Sequence, residues 1–155
     1  MNREVSVVMS HRAISVDAND TLVEAAERMR AQVVGVLPVL SHARLAGVVT
    51  DRDLAVRAVA RGLDPRSARV REVMTADPVT CHPGESVEVA AGLMQHHGIR
   101  RLVVIDQSLL PVGILSVDDL ALYPETGLLA LQVLSQTATS RTTELDGVLE
   151  TPPTV

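Results

Sequence analysis

The stretch Gly47-Val48-Val49-Thr50, followed by Asp53-Leu54-Ala55, returns later as Gly113-Ile114-Leu115-Ser116, followed by Asp119-Leu120-Ala121. Three further sets of residues repeat at an offset of about 65. Val5, Val8 and Met9 correspond to Val70, Val73 and Met74, and Ala25, Ala26 and Met29 correspond to Ala90, Ala91 and Met94. Leu37 and Val39 correspond to Leu102 and Val104. Self-similarity at a fixed offset indicates two copies of one structural unit. Since two such copies usually pack face to face, we expect any binding site to lie between them.

Each copy predicts the order strand, helix, strand, strand, helix, which is an α/β (α+β) fold. The clearest helix start is Thr21 with Glu24, a capping box in which each side chain satisfies a backbone N–H of the first turn. The apolar residues that follow it have helical spacing. A second helix is expected over residues 51–61, closed by Gly62. The predicted units are a first repeat at 4–62, a linker at 63–69, a second repeat at 70–123, an apolar helix at 124–136 and a mobile tail at 137–155, rich in Thr, Ser and Pro.

Composition narrows the class of protein. Of 155 residues, 46% are hydrophobic, yet Phe and Trp are absent, so the core must be aliphatic. The formal net charge of -5 disfavours a nucleic-acid binder. Cys81 is the only cysteine and excludes an internal disulfide. Neither a signal peptide nor an apolar run of about 20 residues is present, so we expect a cytoplasmic protein without membrane contact.

The order of elements, the Val-Met-Thr segments that lead into the units and the repeated Gly-apolar-apolar-Thr/Ser-x-x-Asp signature together resemble the CBS domain. Two tandem copies resemble a CBS pair, or Bateman module, over about residues 4–123. Within that family the chain is similar to small stand-alone bacterial proteins, including the actinobacterial hypoxic-response type. The resemblance implies two repeats related by a pseudo-twofold axis, a non-catalytic role in energy or stress sensing, an adenine nucleotide (AMP, ADP or ATP) in the cleft, a homodimer and a regulated partner protein. It implies no required cofactor.

The resemblance assigns ligand contacts to Thr50 and Asp53 in the first copy and to Ser116 and Asp119 in the second. An Asp in the first turn of a helix can accept hydrogen bonds from both ribose hydroxyls, and the helix N-terminus favours an anion. The alternative is ordinary helix capping, for which Thr, Ser and Asp are preferred residues.

Four further residues are expected at the ligand. Arg100 and Arg101 would hold phosphate through the donor fork of arginine, and Val79 and Ile99 would flank the adenine. The alternatives are a solvated pair at a strand edge and ordinary core residues. Because the first copy has Gly35 and Val36 in place of the arginine pair, we expect two unequal sites, with the phosphate-competent one associated with the second copy.

Other polar groups leave alternatives open. A run of arginines predicts a solvated helix face or, alternatively, a surface for a phosphate-rich partner: Arg52, Arg57, Arg61, Arg66, Arg69 and Arg71. Cys81-His82 and His96-His97 are possible metal ligands, although their spacing does not require a site. No catalytic triad or phosphate loop is indicated, so an enzyme is not expected. The competing hypothesis is an interaction module with a vestigial or metal-linked cleft.

Overall fold

The computed structural model of the chain describes residues 3–11 and 13–149. Its helices are α1 (Val5–Val8), α2 (Leu22–Gln32), α3 (Asp51–Asp53), α4 (Val87–His97), α5 (Val117–Ala121) and α6 (Gly127–Leu149). Its strands are β1 (Val16–Asp17), β2 (Val36–Ser41), β3 (Arg44–Thr50), β4 (Thr75–Ala76), β5 (Thr80–Cys81), β6 (Arg101–Ile105) and β7 (Pro111–Ser116). The α+β class is confirmed.

Helix α2 begins where its sequence predicts. The Thr21 side chain accepts a hydrogen bond from the backbone N–H of Glu24, and the Glu24 carboxylate accepts from the backbone N–H of Thr21, so the capping box is complete. Leu22, Ala25 and Met29 form the buried face. The helix predicted over 51–61 also forms, but Leu54–Ala58 after α3 is a π-helical turn. Gly62, at φ +63°, follows it in the left-handed conformation that favours glycine.

The strands form one small sheet in each repeat, with matching topology. The first sheet has the order β1-β2-β3-β4 and the second the order β5-β6-β7. In each sheet the short first strand is parallel to the next, and the long pair is antiparallel. The parallel contact is possible because α2 or α4 connects the two strands, as parallel pairing requires a crossover.

Each repeat starts with a lead-in segment, residues 4–10 in the first repeat and residues 70–77 in the second. These two lead-ins are exchanged between the repeats. Strand β4, at the start of the second repeat, pairs with β3 of the first, while Ser10 bridges to Ile114 of β7 in the second. The cores follow the same exchange. Val5, Val8 and Met9 are buried in the second repeat's core, and Val70 and Val73 in that of the first: these residues extend two clusters otherwise made by their hosts. The predicted ranges 4–62 and 70–123 therefore describe the sequence repeats, whereas each packed unit borrows its lead-in from the other.

Two equivalent glycines permit this exchange. A Cβ at Gly47 would lie 2.6 Å from the carbonyl oxygen of Thr75, and a Cβ at Gly113 would lie 2.8 Å from that of Ser10. Real Cβ atoms do not approach backbone so closely. The glycine of the repeated signature is thus explained by the backbone of the lead-in that crosses it.

A third apolar cluster joins the two sheets. Val103, Ile105 and Ile114 from the second sheet are buried against residues of the first sheet, among them Val36 and Val48. Because aliphatic side chains alone fill this layer, the repeats meet through dispersion and apolar burial, at roughly 25 cal/mol per Å² of apolar surface removed from water. Because this contact holds the two sheets together, it also fixes the positions of the residues on either side of the clefts between the repeats.

Helix α6 is longer than the sequence predicts. An apolar helix was expected over 124–136 and a mobile tail over 137–155, but α6 runs to Leu149, and residues 150–155 lie outside the described residues. Buried Ala130 and Val133 fix the first half of α6 on α4 and α5. Once a helix is nucleated, each added residue contributes one hydrogen bond, which favours continuation through Thr and Ser. Over the described ranges, no helix combines the length and apolar character that a membrane span requires.

Candidate functional site

A cavity of about 370 Å³ opens between the repeats, and we call it the Arg100 cavity. Its polar wall includes Thr50 and Asp53 from the first repeat and Arg100 and Arg101 from the second. The other lining residues are Val36, Val48, Arg52, Thr75, Asp77, Pro78, Val79, Gly98, Ile99, Leu102, Val103, Ile114 and Thr137. A cleft of this size, largely apolar with a few convergent polar groups, has the character of a small-molecule site.

Thr50 and Asp53 form a capping box at the cavity wall. The Asp53 carboxylate accepts from the backbone N–H of Thr50 at 2.9 Å, and the Thr50 hydroxyl accepts from the backbone N–H of Asp53 at 3.1 Å. The other Asp53 oxygen lies 3.4 Å from Nε of Arg57. Capping, the alternative set out above, is therefore real. It does not exclude ligand contact, since a carboxylate offers about four lone-pair directions and these contacts leave some free.

Ser116 and Asp119 repeat this geometry in a second cleft of about 300 Å³, the Asp119 cavity. The Asp119 carboxylate accepts from the Ser116 backbone N–H at 2.7 Å and from the Ser116 hydroxyl at 2.6 Å. Gly35 and Val36 from the first repeat line this cleft, as does Arg101. Within the described chain, no arginine forms an ion pair with Asp119 comparable to the one between Arg57 and Asp53.

The structure groups the predicted residues differently from the sequence repeats. Arg100 lies with Thr50 and Asp53, whereas Ser116 and Asp119 lie in the other cleft. The expected association of a phosphate-competent site with the second copy stays a prediction, and Arg100 of that copy shares its cleft with the signature of the first copy. The physical reason is the face-to-face packing of the sheets, through which each cleft combines the signature of one copy with the strand start of the other. Arg101 borders both clefts.

The arginine run mostly holds the linker and second lead-in. Arg57 donates to the carbonyl oxygen of Val73 at 2.9 Å, and Arg61 donates to that of Glu72 at 2.8 Å. Arg69 and Arg71 both contact Asn19. The prediction of a merely solvated helix face is therefore incomplete, because Arg57 and Arg61 satisfy backbone carbonyls of the exchanged segment that would otherwise be left to water. Arg52 instead lines the Arg100 cavity.

The possible metal ligands do not converge. No cluster of three or more His, Cys, Asp or Glu side chains with metal-binding geometry occurs among the residues that the structure describes. Burial, with a smaller contribution from nearby Glu85, raises the pKa of the Cys81 thiol to about 12. His82 Nδ1 lies 3.1 Å from the carbonyl oxygen of Ile105, and the rings of His96 and His97 pack edge to face.

The predicted site residues omit four polar residues of the Arg100 cavity, one of which is Arg52. Thr75 and Asp77 come from the exchanged lead-in, and Thr137 comes from α6. Thr137 falls in the range that the sequence assigns to a mobile tail. The signal that could have found it is spacing: Ala130, Val133 and Thr137 stand at i, i+3 and i+7, one face of a helix.

Comparison with known proteins matches this architecture to a family. The CBS domain matches the chain at residues 3–59 and again at residues 70–125. The chain belongs to the CBS domain family. The two matched ranges correspond to the two repeats, so the sequence resemblance to a tandem CBS pair is confirmed.

Several relatives share this CBS pair. The CBS domain-containing protein YhcV of Bacillus subtilis is 42% identical over 117 residues, which cover 76% of this chain and 82% of YhcV. The crystal structure of Hypoxic Response Protein I with two coordinated zinc ions has a TM-score of 0.69 and 31% identity, covering 78% of this chain and 98% of the other. The CBS domain pair of protein MJ0100, in complex with 5′-methylthioadenosine and S-adenosyl-L-methionine, has a TM-score of 0.70 and 27% identity, covering 78% and 94%.

Proposed function

We propose that this chain is a non-catalytic regulatory module that binds an adenine nucleotide in the Arg100 cavity. The observation that carries the proposal is the convergence of three chemistries there: Asp53 and Thr50, apolar Val79 and Ile99, and the guanidinium of Arg100. A carboxylate and a hydroxyl suit a ribose, apolar side chains suit a purine face, and a planar guanidinium suits phosphate. The MJ0100 pair, a relative by fold and sequence, holds two adenosine compounds.

Charge supports an anionic ligand. Arg52, Arg100 and Arg101 line the cavity, against the carboxylates of Asp53 and Asp77. Arg57 already lies 3.4 Å from the Asp53 carboxylate, so the cavity has an excess of positive charge. In a partly desolvated cleft such an excess favours phosphate more strongly than it would in water.

Calorimetric titration with AMP, ADP, ATP and S-adenosylmethionine tests this proposal. Asp53→Asn preserves the side-chain shape but removes the charge, and we expect it to weaken binding by about tenfold or more, since hydrogen bonds to charged groups contribute about 1.5–3 kcal/mol. Asp51→Asn is the matched control, because Asp51 lies in the same helical turn but is exposed and does not line the cavity. If the wild-type chain bound none of the four compounds, the interaction-module hypothesis would replace this proposal.

We further propose that two copies pair through their helical faces. Leu128 and Leu131 of α6 are 68% and 64% exposed, although both are large apolar side chains. A separate apolar groove of about 370 Å³ between α2 and the π-helical turn is lined by Leu22, Leu54 and Val59 among others. Exposed apolar patches that are continuous on a surface favour protein contacts. The exposed face of α6 and this groove are both apolar, so contact between one copy and its partner through them would remove both surfaces from water.

Light scattering after gel filtration tests the pairing. We expect a dimer for the wild-type chain and a shift toward monomer for Leu131→Glu, since the pairing would bury the new charge. Gln132→Glu adds the same charge at the neighbouring exposed position and is the control. A wild-type monomer at all concentrations would contradict the proposal.

A further inference from the structure

Helix α6 lies outside both repeats, yet it contributes Thr137 to the lining of the Arg100 cavity. Thr137 lines the cavity and is only 2% exposed. Nε of Arg100 donates to the Thr137 hydroxyl at 3.1 Å, and that hydroxyl in turn donates to the carbonyl oxygen of Leu134 at 3.1 Å. The direction of both hydrogen bonds is therefore fixed: the hydroxyl proton is engaged within α6, and its lone pair faces Arg100.

The position of Thr137 follows from the packing of α6. Ala130 and Val133 are buried in the second repeat's core, and Thr137 follows Val133 by about one turn on the same face. Thr126, before the helix, is buried too and donates to the carbonyl oxygen of Leu120 at 2.6 Å. The buried stripe thus changes from aliphatic to hydroxyl at the point where it leaves the core and meets the cavity.

This contact leaves Arg100 oriented but not neutralised. Thr137 engages Nε, the donor nearest the aliphatic stem, and leaves the two terminal nitrogens for other acceptors. Within the described part of the chain, no carboxylate forms an ion pair with Arg100. An arginine whose Nε is fixed and whose terminal donors remain available suits bidentate binding of phosphate.

We infer that Thr137 is a positioning residue that holds Arg100 toward the anionic group of the ligand, and that α6 is thereby part of the binding site. This inference rests on the proposed nucleotide function and deepens it. Its consequence is coupling between the cavity and α6. If docked α6 strengthens phosphate binding through Arg100, the bound phosphate must strengthen the docking of α6 by the same factor.

The test compares AMP with adenosine, which lacks the phosphate, on the full chain. Thr137→Val keeps the shape of the side chain and removes the acceptor, so we expect AMP to bind about tenfold more weakly and adenosine to be unchanged within about twofold. Thr137→Ser restores the hydroxyl and should bind AMP within about threefold of the wild-type affinity. Arg100→Gln should lose the preference for AMP, and Thr137→Val added to it should have no further effect, as expected for two residues that act as one unit.

Two results would overturn the inference. One is equal weakening of AMP and adenosine by Thr137→Val, which would indicate a general disturbance of the cavity. The other is strict additivity of the Arg100 and Thr137 substitutions.

A readout without ligand separates this inference from the proposed function. In ¹⁵N-edited spectra the Nε–H of Arg100, identified by its loss in Arg100→Gln, should exchange slowly in the wild-type chain and rapidly in Thr137→Val. If the wild-type chain bound neither adenosine nor any of AMP, ADP, ATP and S-adenosylmethionine, the nucleotide function would fail. A protected Nε–H would then still support positioning by Thr137, whereas rapid exchange in the wild-type chain would overturn it.

Discussion

The two repeats share a fold but differ in what covers their helices. In the second repeat α6 lies on α4 and α5, and Ala130 and Val133 complete the core. In the first repeat the corresponding face, between α2 and the π-helical turn, is an open apolar groove. The same difference extends to the clefts, since α6 contributes Thr137 to the Arg100 cavity, while none of its residues whose side chains are described lines the Asp119 cavity. The two clefts therefore share the residues of the repeated signature but differ in the contribution of α6.

The largest expected effect on stability concerns the exchanged lead-ins, and it tests whether the two repeats are equivalent. Gly47→Ala and Gly113→Ala each place a Cβ within 3.0 Å of backbone carbonyl oxygen and methionine sulfur. We expect each to lower the free energy of unfolding by about 3 kcal/mol, the upper range for overpacking. Urea denaturation measures this.

Gly92→Ala is the control for both glycine substitutions. It lies in α4, where an added Cβ meets nothing within 4 Å, and it should stabilise the chain by about 0.5–1 kcal/mol. A large loss for Gly47→Ala alone would mean that the two lead-ins are not equivalent. Losses below about 1 kcal/mol for both would contradict the account of the repeated glycine.

The docking of α6 should contribute the next largest effect. Val133 is fully buried, and Val133→Ala should lower the free energy of unfolding by roughly 2 kcal/mol through lost apolar burial and the cavity that remains. Leu131→Ala, on the exposed side of α6, should change the stability of the monomeric chain by no more than about 0.5 kcal/mol. Urea titrations at one low protein concentration measure both. Equal effects would mean that α6 does not pack by the face described.

A smaller difference lies at the C-termini of α2 and α4. Gly98 ends α4 at φ +63°, whereas Val33 ends α2 at φ +56°, a left-handed conformation in which a β-branched side chain is strained. Val33 is also 90% exposed, so it loses little packing if it is replaced. Val33→Gly should therefore raise the free energy of unfolding by about 1 kcal/mol, the relief of left-handed strain.

Thermal unfolding followed by circular dichroism measures this gain. The reciprocal Gly98→Val should destabilise the chain by a similar amount, about 1 kcal/mol. Loss of stability in Val33→Gly would show that the valine has a packing role that outweighs its strain.

Local signals in the sequence predicted the elements well and the site only in part. The Thr21 and Glu24 box, the apolar faces and the duplicated signature depend on neighbours in the chain, so they predicted α2, the sheets and the repeat correctly. The exchange of lead-ins and the crossing of clefts depend on how the repeats face each other, which no local pattern contains. For that reason the sequence did not indicate that Arg100 shares a cleft with Thr50 and Asp53 of the first copy. Thr137 was missed because Thr-rich composition outweighed the helical spacing that continues from Val133.

The smallest difference is electrostatic and concerns the N-termini of the equivalent helices α2 and α4. Helix α2 has a complete capping box, whereas α4 has Ser86 as its cap and Val89 where a carboxylate would stand. Hydrogen bonds from the backbone N–H and hydroxyl of Thr21 hold the pKa of the Glu24 carboxyl below its usual value of 4.5, and Arg28 adds a smaller lowering. A carboxyl whose pKa is lowered by folding stabilises the folded chain above its unfolded pKa, and this stabilisation is lost as the pH falls through the folded value.

Melting temperatures at pH 7 and pH 3 test this difference between the helices. In the wild-type chain the Glu24 contribution should be present at pH 7 and diminished at pH 3, while Glu24→Gln should remove that part of the pH dependence. Glu27→Gln is the control, because Glu27 is an exposed carboxyl of the same helix outside the capping box. Helix α4 has no capping box, so the acid-dependent loss of stability should begin in the first repeat. Hydrogen exchange at low pH should therefore show that α2 opens before α4. If α2 and α4 opened at the same pH, the Thr21 and Glu24 capping box would not be what sets the acid stability of the first repeat apart from that of the second.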